Sequence, residues 1–174
     1  MKDIKIIIEA LVFASENPLT IDRISEVLGG EIDKKEIGNI LSDLMREYNE
    51  RNGGFCLEEV AGGFQFRTRT DLGEWIKKLR GVKPTMLTQA AMETLAVVAY
   101  RQPVVKSEID RIRGVDVSGS LRGLLEKKLA KMVGRKDVPG RPMLYGTTKK
   151  FLEVFNLKDL SELPTLRELK ELEK

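Results

Sequence analysis

The 174-residue chain contains no histidine and a single cysteine, and these scarcities exclude several kinds of chemistry. Without histidine, the chain lacks the commonest general base and the commonest metal ligand of proteins. Ser–His and Cys–His nucleophilic schemes are therefore excluded. The lone cysteine, Cys56, cannot form an intramolecular disulfide, and its apolar neighbours Phe55 and Leu57 predict a core residue. We expect a protein that is not an enzyme, with no catalytic residue, no cofactor and no metal site.

Long hydrophobic runs are also missing. The longest, Ile6–Ile8 and Leu95–Tyr100, fall far short of the roughly 20 apolar residues that cross a bilayer. The first residues lack the long apolar core of a secretory signal. We therefore expect no membrane contact and a cytoplasmic location.

Charge is abundant but unevenly distributed. Charged residues make up 33% of the chain and the net charge is +3, yet residues 1–80 carry −3 and residues 101–150 carry +8. A surface for an acidic partner, if one exists, is expected in the second half.

Apolar spacing in the first half predicts three helices, a hairpin and a fourth helix. The first helix, Ile4–Ser15, is apolar enough to bury two faces. Thr20 and Asp33 are the predicted N-caps of the next two helices. Strands are expected on either side of Ala61-Gly62-Gly63, and Asp71 is the predicted N-cap of the fourth helix.

The second half repeats this order. Thr88 is the predicted N-cap of its first helix, Pro103 ends that helix, and Gly114 ends the next. Ser118 or Ser120 is expected to cap a third helix. A strand from Met132, a turn-rich loop over Lys136–Pro142 and a return strand through Tyr145 follow, then a closing helix at 151–155.

The repeat can be checked position by position. An offset of 85 residues aligns six pairs, and an offset of 84 aligns four positions of the third helix. The pairs at offset 85 are Val12 with Val97, Ala14 with Ala99, Pro18 with Pro103, Ile24 with Ile109, Val27 with Ile112, and Gly29 with Gly114.

These patterns predict a mostly α fold with small β-hairpins, an α+β protein of two tandem winged-helix domains. We place the domains at 1–82 and 83–158, joined by a short linker around Gly81-Val82-Lys83-Pro84, with a charged amphipathic tail at 159–174 that carries Leu160, Leu163, Leu166 and Leu169.

Winged helices commonly bind DNA through the third helix. In the first half that helix mixes cations such as Lys35 and Arg46 with acids such as Asp43 and Glu47, which suits protein contact better than phosphates. The second half is more permissive, since Arg122, Lys127, Lys128 and Lys131 flank its third helix and Arg135, Lys136 and Arg141 cluster in its wing. A solvated basic face, an acidic polypeptide partner and nucleic acid all remain open there.

Four motifs make the second half specific. They are the run Glu93-Thr94-Leu95-Ala96, Tyr100-Arg101-Gln102-Pro103, Ile112-Arg113-Gly114-Val115, and Gly140-Arg141-Pro142 with Leu144-Tyr145-Gly146-Thr147-Thr148. Together they resemble the segregation and condensation protein B family of bacteria and archaea. Asn156 departs from the glycine that family pattern leads us to expect at a helix end.

The resemblance implies a non-enzymatic accessory subunit of an SMC condensin complex. Family members homodimerise, largely through the N-terminal domain, and bind the kleisin subunit, segregation and condensation protein A, and through it SMC, in chromosome condensation and segregation. DNA contact would be weak and non-specific at most. The candidate partner-binding residues are Tyr100, Arg101, Gln102, Pro103, Arg113, Gly114, Arg135, Gly140, Arg141, Pro142 and Tyr145. The alternative is a dimeric winged-helix DNA-binding transcriptional regulator.

Overall fold

The computed structural model describes residues 3–81, 86–165 and 168, and the chain forms two compact units. The first unit contains residues up to 84 together with those from Asn156 onward, and the second contains Thr85–Phe155. This differs from the predicted division at its C-terminal end, because Asn156 and the tail group with the first unit. Of the predicted features, Val82–Pro84 of the linker, Leu166 and Leu169 lie outside the described residues.

The first unit is a winged helix with one helix added behind the wing. Three helices precede a two-stranded antiparallel sheet, then a short 3₁₀ turn and a fourth helix follow. Its elements are α1 (Ile4–Ala14), α2 (Ile21–Val27), α3 (Lys34–Glu50), β1 (Phe55–Val60), β2 (Gly63–Thr68) and α4 (Gly73–Arg80). Its core joins Ile8, Val12, Ile24, Ile37, Leu41, Leu44, Leu57 and Phe64.

Two of the three helix N-caps predicted for the first unit are confirmed. The Thr20 hydroxyl accepts a hydrogen bond from the Arg23 amide at 3.2 Å, and the Asp33 carboxylate accepts one from Lys35 at 2.7 Å. The prediction for Asp71 was wrong. It lies inside the 3₁₀ turn Thr70–Leu72, which leads straight into α4, so no extended residue precedes the helix to carry a cap.

The first wing closes in a two-residue turn. Ala61 and Gly62 both have positive φ, 53° and 74°, which matches the right-handed twist of the strands they join. The next residue, Gly63, has no room for a side chain, because an added Cβ would lie 2.8 Å from the carbonyl carbon of Pro18. Leu19 pairs with Phe64 through two 2.9 Å backbone hydrogen bonds, which fasten the wing to the start of α2.

The segment that follows the second unit packs on this wing. The carbonyls of Leu157 and Lys158 accept hydrogen bonds from the amides of Ala61 and Gly62 at 2.9 and 3.0 Å. The Lys158 ammonium lies 3.1 Å from the Glu59 carboxylate. The turn of the first wing is therefore completed by residues almost 100 positions later in the chain.

The second unit is a winged helix with a three-stranded antiparallel sheet in the order β3-β5-β4. The short strand β3 follows the first helix, a feature that the sequence reading missed because it has two residues. The elements are α5 (Gln89–Arg101), β3 (Val104–Val105), α6 (Lys106–Arg113), α7 (Ser118–Glu126), β4 (Ala130–Arg135), β5 (Met143–Thr147) and α8 (Lys149–Phe155).

Thr88 caps α5 as predicted, accepting from the Ala91 amide at 3.2 Å, and Gly114 ends α6 in the left-handed conformation. The serine cap predicted for α7 was wrong. Its N-cap is Val117, whose amide donates to the Asp110 carboxylate at 2.9 Å, while Asp116 accepts from the Ser118 hydroxyl at 2.7 Å. Ser118 is the first residue of the helix and its hydroxyl acts as a donor, so no serine side chain caps α7.

The structure bears out the repeat, with a shift of one residue in the first helix. Ile24 and Ile109, aligned at offset 85, are both fully buried. The isolated bridge of Leu19 corresponds at the same offset to Val104 in β3. Val97, aligned with the buried Val12, is half-buried, whereas its neighbour Val98 is fully buried. Among the described residues, no helix combines the length and apolar character needed to cross a membrane.

Candidate partner-binding site

The turn after α5 holds four of the predicted site residues. Tyr100 and Arg101 are exposed at the end of the helix, and Pro103 is exposed in the turn. Gln102 is only partly exposed. Its side-chain oxygen accepts two hydrogen bonds from Thr147, one from the backbone amide at 2.7 Å and one from the hydroxyl at 3.1 Å. The side-chain amide group of Gln102 donates to the Ala99 carbonyl at 3.0 Å. Gln102 therefore fixes the turn against β5, and its neighbours carry the accessible surface.

Tyr145 lies beside this turn. It occupies β5, opposite Val104 on one side and Met132 on the other, and it packs against the second unit's core. The fold thus brings Tyr145 close to the turn at 100–103, although some 40 residues separate the two in the sequence. Its half-buried position leaves part of the ring accessible.

Arg113 makes its polar contacts within the second unit. Its side chain is 14% exposed, its guanidinium lies 2.8 Å from the Glu93 carboxylate, and it donates to the Ala90 carbonyl at 3.2 Å. These contacts fasten the end of α6 to α5. Gly114 follows with a φ of 69°, which glycine adopts without strain. The geometry gives both residues a structural reason to be present.

The wing of the second unit carries the remaining predicted residues. Arg135 donates to the Arg141 carbonyl at 3.2 Å, and the Lys136 amide donates to the Pro142 carbonyl at 2.9 Å, so the base of the loop is closed. Gly140 and Arg141 both have positive φ, 83° and 38°. The guanidinium of Arg141 is exposed. The wing therefore presents arginines from a fixed loop.

Ion pairs occupy most acids of this unit. Lys136 pairs with Glu108 at 2.6 Å, and that hydrogen bond lowers the pKa of Glu108. Lys106 pairs with both Asp110 and Asp116, and its hydrogen bonds are the main reason that the pKa values of both carboxyls are lowered. Arg101, Arg135 and Arg141 make no such pair with an acid of the described chain. Their charge is available to a partner.

A second candidate surface lies on α1. The prediction that this helix buries two faces is not met within the single chain, since Ile6 and Phe13 are 61% and 73% exposed. An apolar groove with a volume of about 710 Å³ runs along this helix, lined by Asp3, Ile6, Ile7, Ala10, Leu11 and Ala14. The signal in the sequence was the near absence of charge, because Lys5 and Glu9 are the only ionisable residues of α1.

Two winged helices in tandem, with an apolar helix face on one and exposed arginines on the other, define a class of paired winged-helix proteins built for contact with other macromolecules. Groups of three or more Cys, Asp or Glu that could hold a metal ion do not occur within the described ranges. The family model "Segregation and condensation complex subunit ScpB" matches residues 6–166. The chain belongs to this family, as the resemblance predicted.

Named relatives agree with this assignment. Segregation and condensation protein B of Syntrophotalea carbinolica is 46% identical over 172 residues, which cover 99% of this chain and 86% of that protein. The protein of that name from Myxococcus xanthus is 47% identical over 97% of this chain and 51% of its own length. The one from Symbiobacterium thermophilum is 47% identical over 92% of this chain and 72% of its own length.

Proposed function

We propose that this chain is a non-enzymatic, cytoplasmic subunit of a chromosome segregation and condensation complex. In that role it forms a homodimer and binds the kleisin subunit, segregation and condensation protein A, and through it SMC. The observation that carries the proposal is the family match over residues 6–166, which includes both winged helices. The two exposed surfaces described above support the proposal.

The first unit is proposed as the dimerisation domain, through α1. A helix that is apolar nearly all round is normally buried, and α1 buries only Ile8 and Val12 within its own unit. Ile6, Ala10 and Ala14 share the exposed groove face at helical spacing. A second copy of the chain, applying the same face, would cover this apolar surface in an isologous contact.

Dimerisation can be tested with Ile6→Glu combined with Ala10→Glu. We expect light scattering to give a mass near 19.7 kDa for the variant and twice that for the parent chain. Val27→Glu places a carboxylate at an exposed apolar residue of α2, 50% accessible, and serves as the matched control that stays dimeric. A dimeric double variant would remove α1 from the interface.

The second unit is proposed to contact the kleisin through Tyr100, Arg101, Arg135 and Arg141. Arginine suits carboxylates, since its guanidinium can form two parallel hydrogen bonds with one carboxylate. Arg113 leaves the set of direct contacts because Glu93 and Ala90 already engage it. The half-buried Tyr145 and the fixed Gln102 would support the surface from beneath.

Kleisin binding can be tested by pull-down with Arg101→Glu and Arg141→Glu together. We expect binding to fall at least tenfold, the loss that about 1.4 kcal/mol produces. Arg111→Glu is the matched control, an exposed cation on α6 that forms no salt bridge among the described residues. Equal binding by the double variant and the parent would place the kleisin elsewhere.

A sequence-specific DNA-binding regulator is not favoured by the third helices. The outer face of α3 carries internal ion pairs, such as Arg46 with Asp43 at 2.7 Å, and α7 offers Gly119 and Gly123 where base-reading side chains would stand. The one long cation inside α7, Arg122, is paired with Glu126 at 2.9 Å.

A further inference from the structure

A group of lysines in the second unit has no place in the proposed kleisin or dimer contacts. The group has five members, which lie at the C-terminal end of α7, at the start of β4 and at the start of α8. We call them the lysine cluster: Lys127, Lys128, Lys131, Lys149 and Lys150. We propose that this cluster binds the phosphate backbone of double-stranded DNA without reading its sequence.

Backbone contacts bring the lysines together from three elements. The Thr148 hydroxyl donates to the Lys128 carbonyl at 2.5 Å, and Lys131 in β4 lies opposite Gly146 in β5. Lys149 is three residues beyond Gly146, a span of at most about 11 Å. That distance is close to the Debye length of about 10 Å at 0.1 M salt, so the positive potentials of neighbouring members reinforce one another.

The positive charge of the cluster is not neutralised within its own unit. Residues 86–155 carry 13 cations and seven acids. Apart from Asp137, each acid pairs with a cation, and only Glu153 pairs with a cluster member, Lys150, at 3.0 Å on the same helix. Glu126, next to Lys127, is engaged by Arg122. Four lysines of the cluster therefore have no acidic partner in the described part of the chain.

Helix stability accounts for only part of the arrangement. Lys127 stands at the C-terminal end of α7, where the helix dipole favours a cation. Lys149 and Lys150 stand in the first turn of α8, where the same effect favours an acid, and none is present. Lys128 has a φ of 57°, a conformation that glycine or asparagine adopts at lower cost. The lysines at these three positions are therefore not explained by the backbone.

The chemistry of the cluster suits a phosphate backbone that is bound without being read. Lysine is a compact point charge on a flexible stem, so it contacts phosphates without imposing the fixed geometry of the arginine fork. Sequence-independent binding to duplex DNA rests on such charges, which displace condensed counterions. The glycine-bearing outer face of α7 adds no readout of base edges.

The test uses the full chain and a labelled DNA duplex of about 30 base pairs, titrated between about 50 and 200 mM salt. The variant combines Lys127→Gln, Lys128→Gln or Gly, Lys131→Gln and Lys149→Gln. The Lys128→Gly version removes the charge while easing the positive φ, which protects the fold. We expect the negative slope of log affinity against log salt to become shallower by about 3 to 4, since each lost phosphate contact removes about 0.9 from its magnitude.

The control removes four cations from the first unit through Lys35→Gln, Lys77→Gln, Lys78→Gln and Arg80→Gln, and we expect its salt slope to stay within about one unit of the parent's. An equal loss in this control, or no binding by the parent chain at about 50 mM salt, would overturn the proposal. A labelled polyglutamate that binds through the same four lysines more tightly than the duplex would assign the cluster to an acidic polypeptide instead.

Two further measurements separate a loss of DNA binding from misfolding and from a loss of kleisin binding. Lys149→Gln alone is expected to reduce the magnitude of the negative slope by about one, whatever the fate of the combined variant. Kleisin pull-down with the cluster variant is expected to match the parent chain, because Arg101 and Arg141 are intact. If Lys149→Gln leaves the slope unchanged, the cluster is not the DNA contact.

Discussion

The side chain of Gln102 accepts two hydrogen bonds from Thr147, one from the backbone amide at 2.7 Å and one from the hydroxyl at 3.1 Å. Thr147 is buried, with 8% of its surface exposed, so no water readily replaces this acceptor. One glutamine thus ties the end of α5 to the return strand of the wing and holds the exposed turn at 100–103 in place.

Removing this acceptor should destabilise the second unit. For Gln102→Ala we expect a loss of about 1–3 kcal/mol in the free energy of unfolding, because two buried donors of Thr147 lose their partner. Urea unfolding followed by circular dichroism measures it. Gln89→Ala is the control, since that exposed glutamine bonds only to Glu93 on the helix surface and should change stability by less than about 0.5 kcal/mol. Equal stabilities would show that Thr147 finds another acceptor.

Substitution of Arg113 should lower the stability of the fold, whereas substitution of Arg101 should not. Arg113→Ala removes the ion pair with Glu93 and the bond to the Ala90 carbonyl, and we expect it to lower stability by about 1–2 kcal/mol. Arg101→Ala, at an exposed position, should leave thermal unfolding within about 0.5 kcal/mol of the parent. A stable Arg113→Ala that loses kleisin binding would return Arg113 to the set of direct contacts.

Position 63 has no room for a side chain, whereas position 123 does. An alanine Cβ at residue 63 would lie 2.8 Å from the Pro18 carbonyl carbon, so Gly63→Ala should destabilise the first unit by about 1–3 kcal/mol. Gly123 lies inside α7 with nothing within 4 Å of an added Cβ, and Gly123→Ala should stabilise by about 0.5–1 kcal/mol. Chemical unfolding of both variants gives the comparison, and the same sign for both would contradict it.

The segment after Phe155 should protect the first wing. A chain that ends at Phe155 lacks the Leu157 and Lys158 carbonyls, so the amides of Ala61 and Gly62 should exchange hydrogen at least tenfold faster, a factor equivalent to about 1.4 kcal/mol of local opening. The Phe64 amide bonds to Leu19 and provides the internal control. Unaltered exchange at Ala61 would mean that the segment is dispensable for the wing.

Acid should weaken the turn between α6 and α7 through Asp110. The hydrogen bond from Lys106, and next the one from the Val117 amide, lower the pKa of this carboxyl in the folded chain. The stability it contributes is therefore complete above the unfolded pKa, near 3.9, and is lost as the pH falls through the lower folded value. We expect Asp110→Asn to show a smaller drop in urea midpoint below about pH 4 than the parent. Asp137→Asn, at an exposed wing position, should follow the parent curve.

Much of the candidate site could be read from local patterns, and part of it could not. The residues at 100–103 entered the candidate site through the family resemblance, and the wing arginines are visible in the sequence as clustered cations. The roles within the motif were not visible, since Gln102 is fixed by Thr147, 45 residues away, and Arg113 by Glu93, 20 residues away. Side-chain partners at such separations depend on how the elements pack.

The cap predictions show the same division. Thr20 and Thr88 follow from a local rule, because an N-cap side chain bonds to an amide three residues later in the same segment. The predicted serine cap of α7 failed because the helix begins at Ser118 itself and Val117 is its N-cap, a residue whose amide donates to Asp110 on the preceding helix. A rule confined to neighbouring residues does not include such a contact.

The sequence by itself determined the duplicated order of helices and wing, because apolar periods and turn residues act within a few positions and recur at offsets of 84 and 85. The absence of histidine also excluded catalysis and metal binding that depend on an imidazole side chain. Tertiary structure decided which surfaces remain for partners: that α1 keeps an apolar face exposed, that Glu93 engages Arg113, and that the lysine cluster assembles from α7, β4 and α8. These outcomes depend on contacts between distant residues, and burial and charge pairing are settled only when those contacts form.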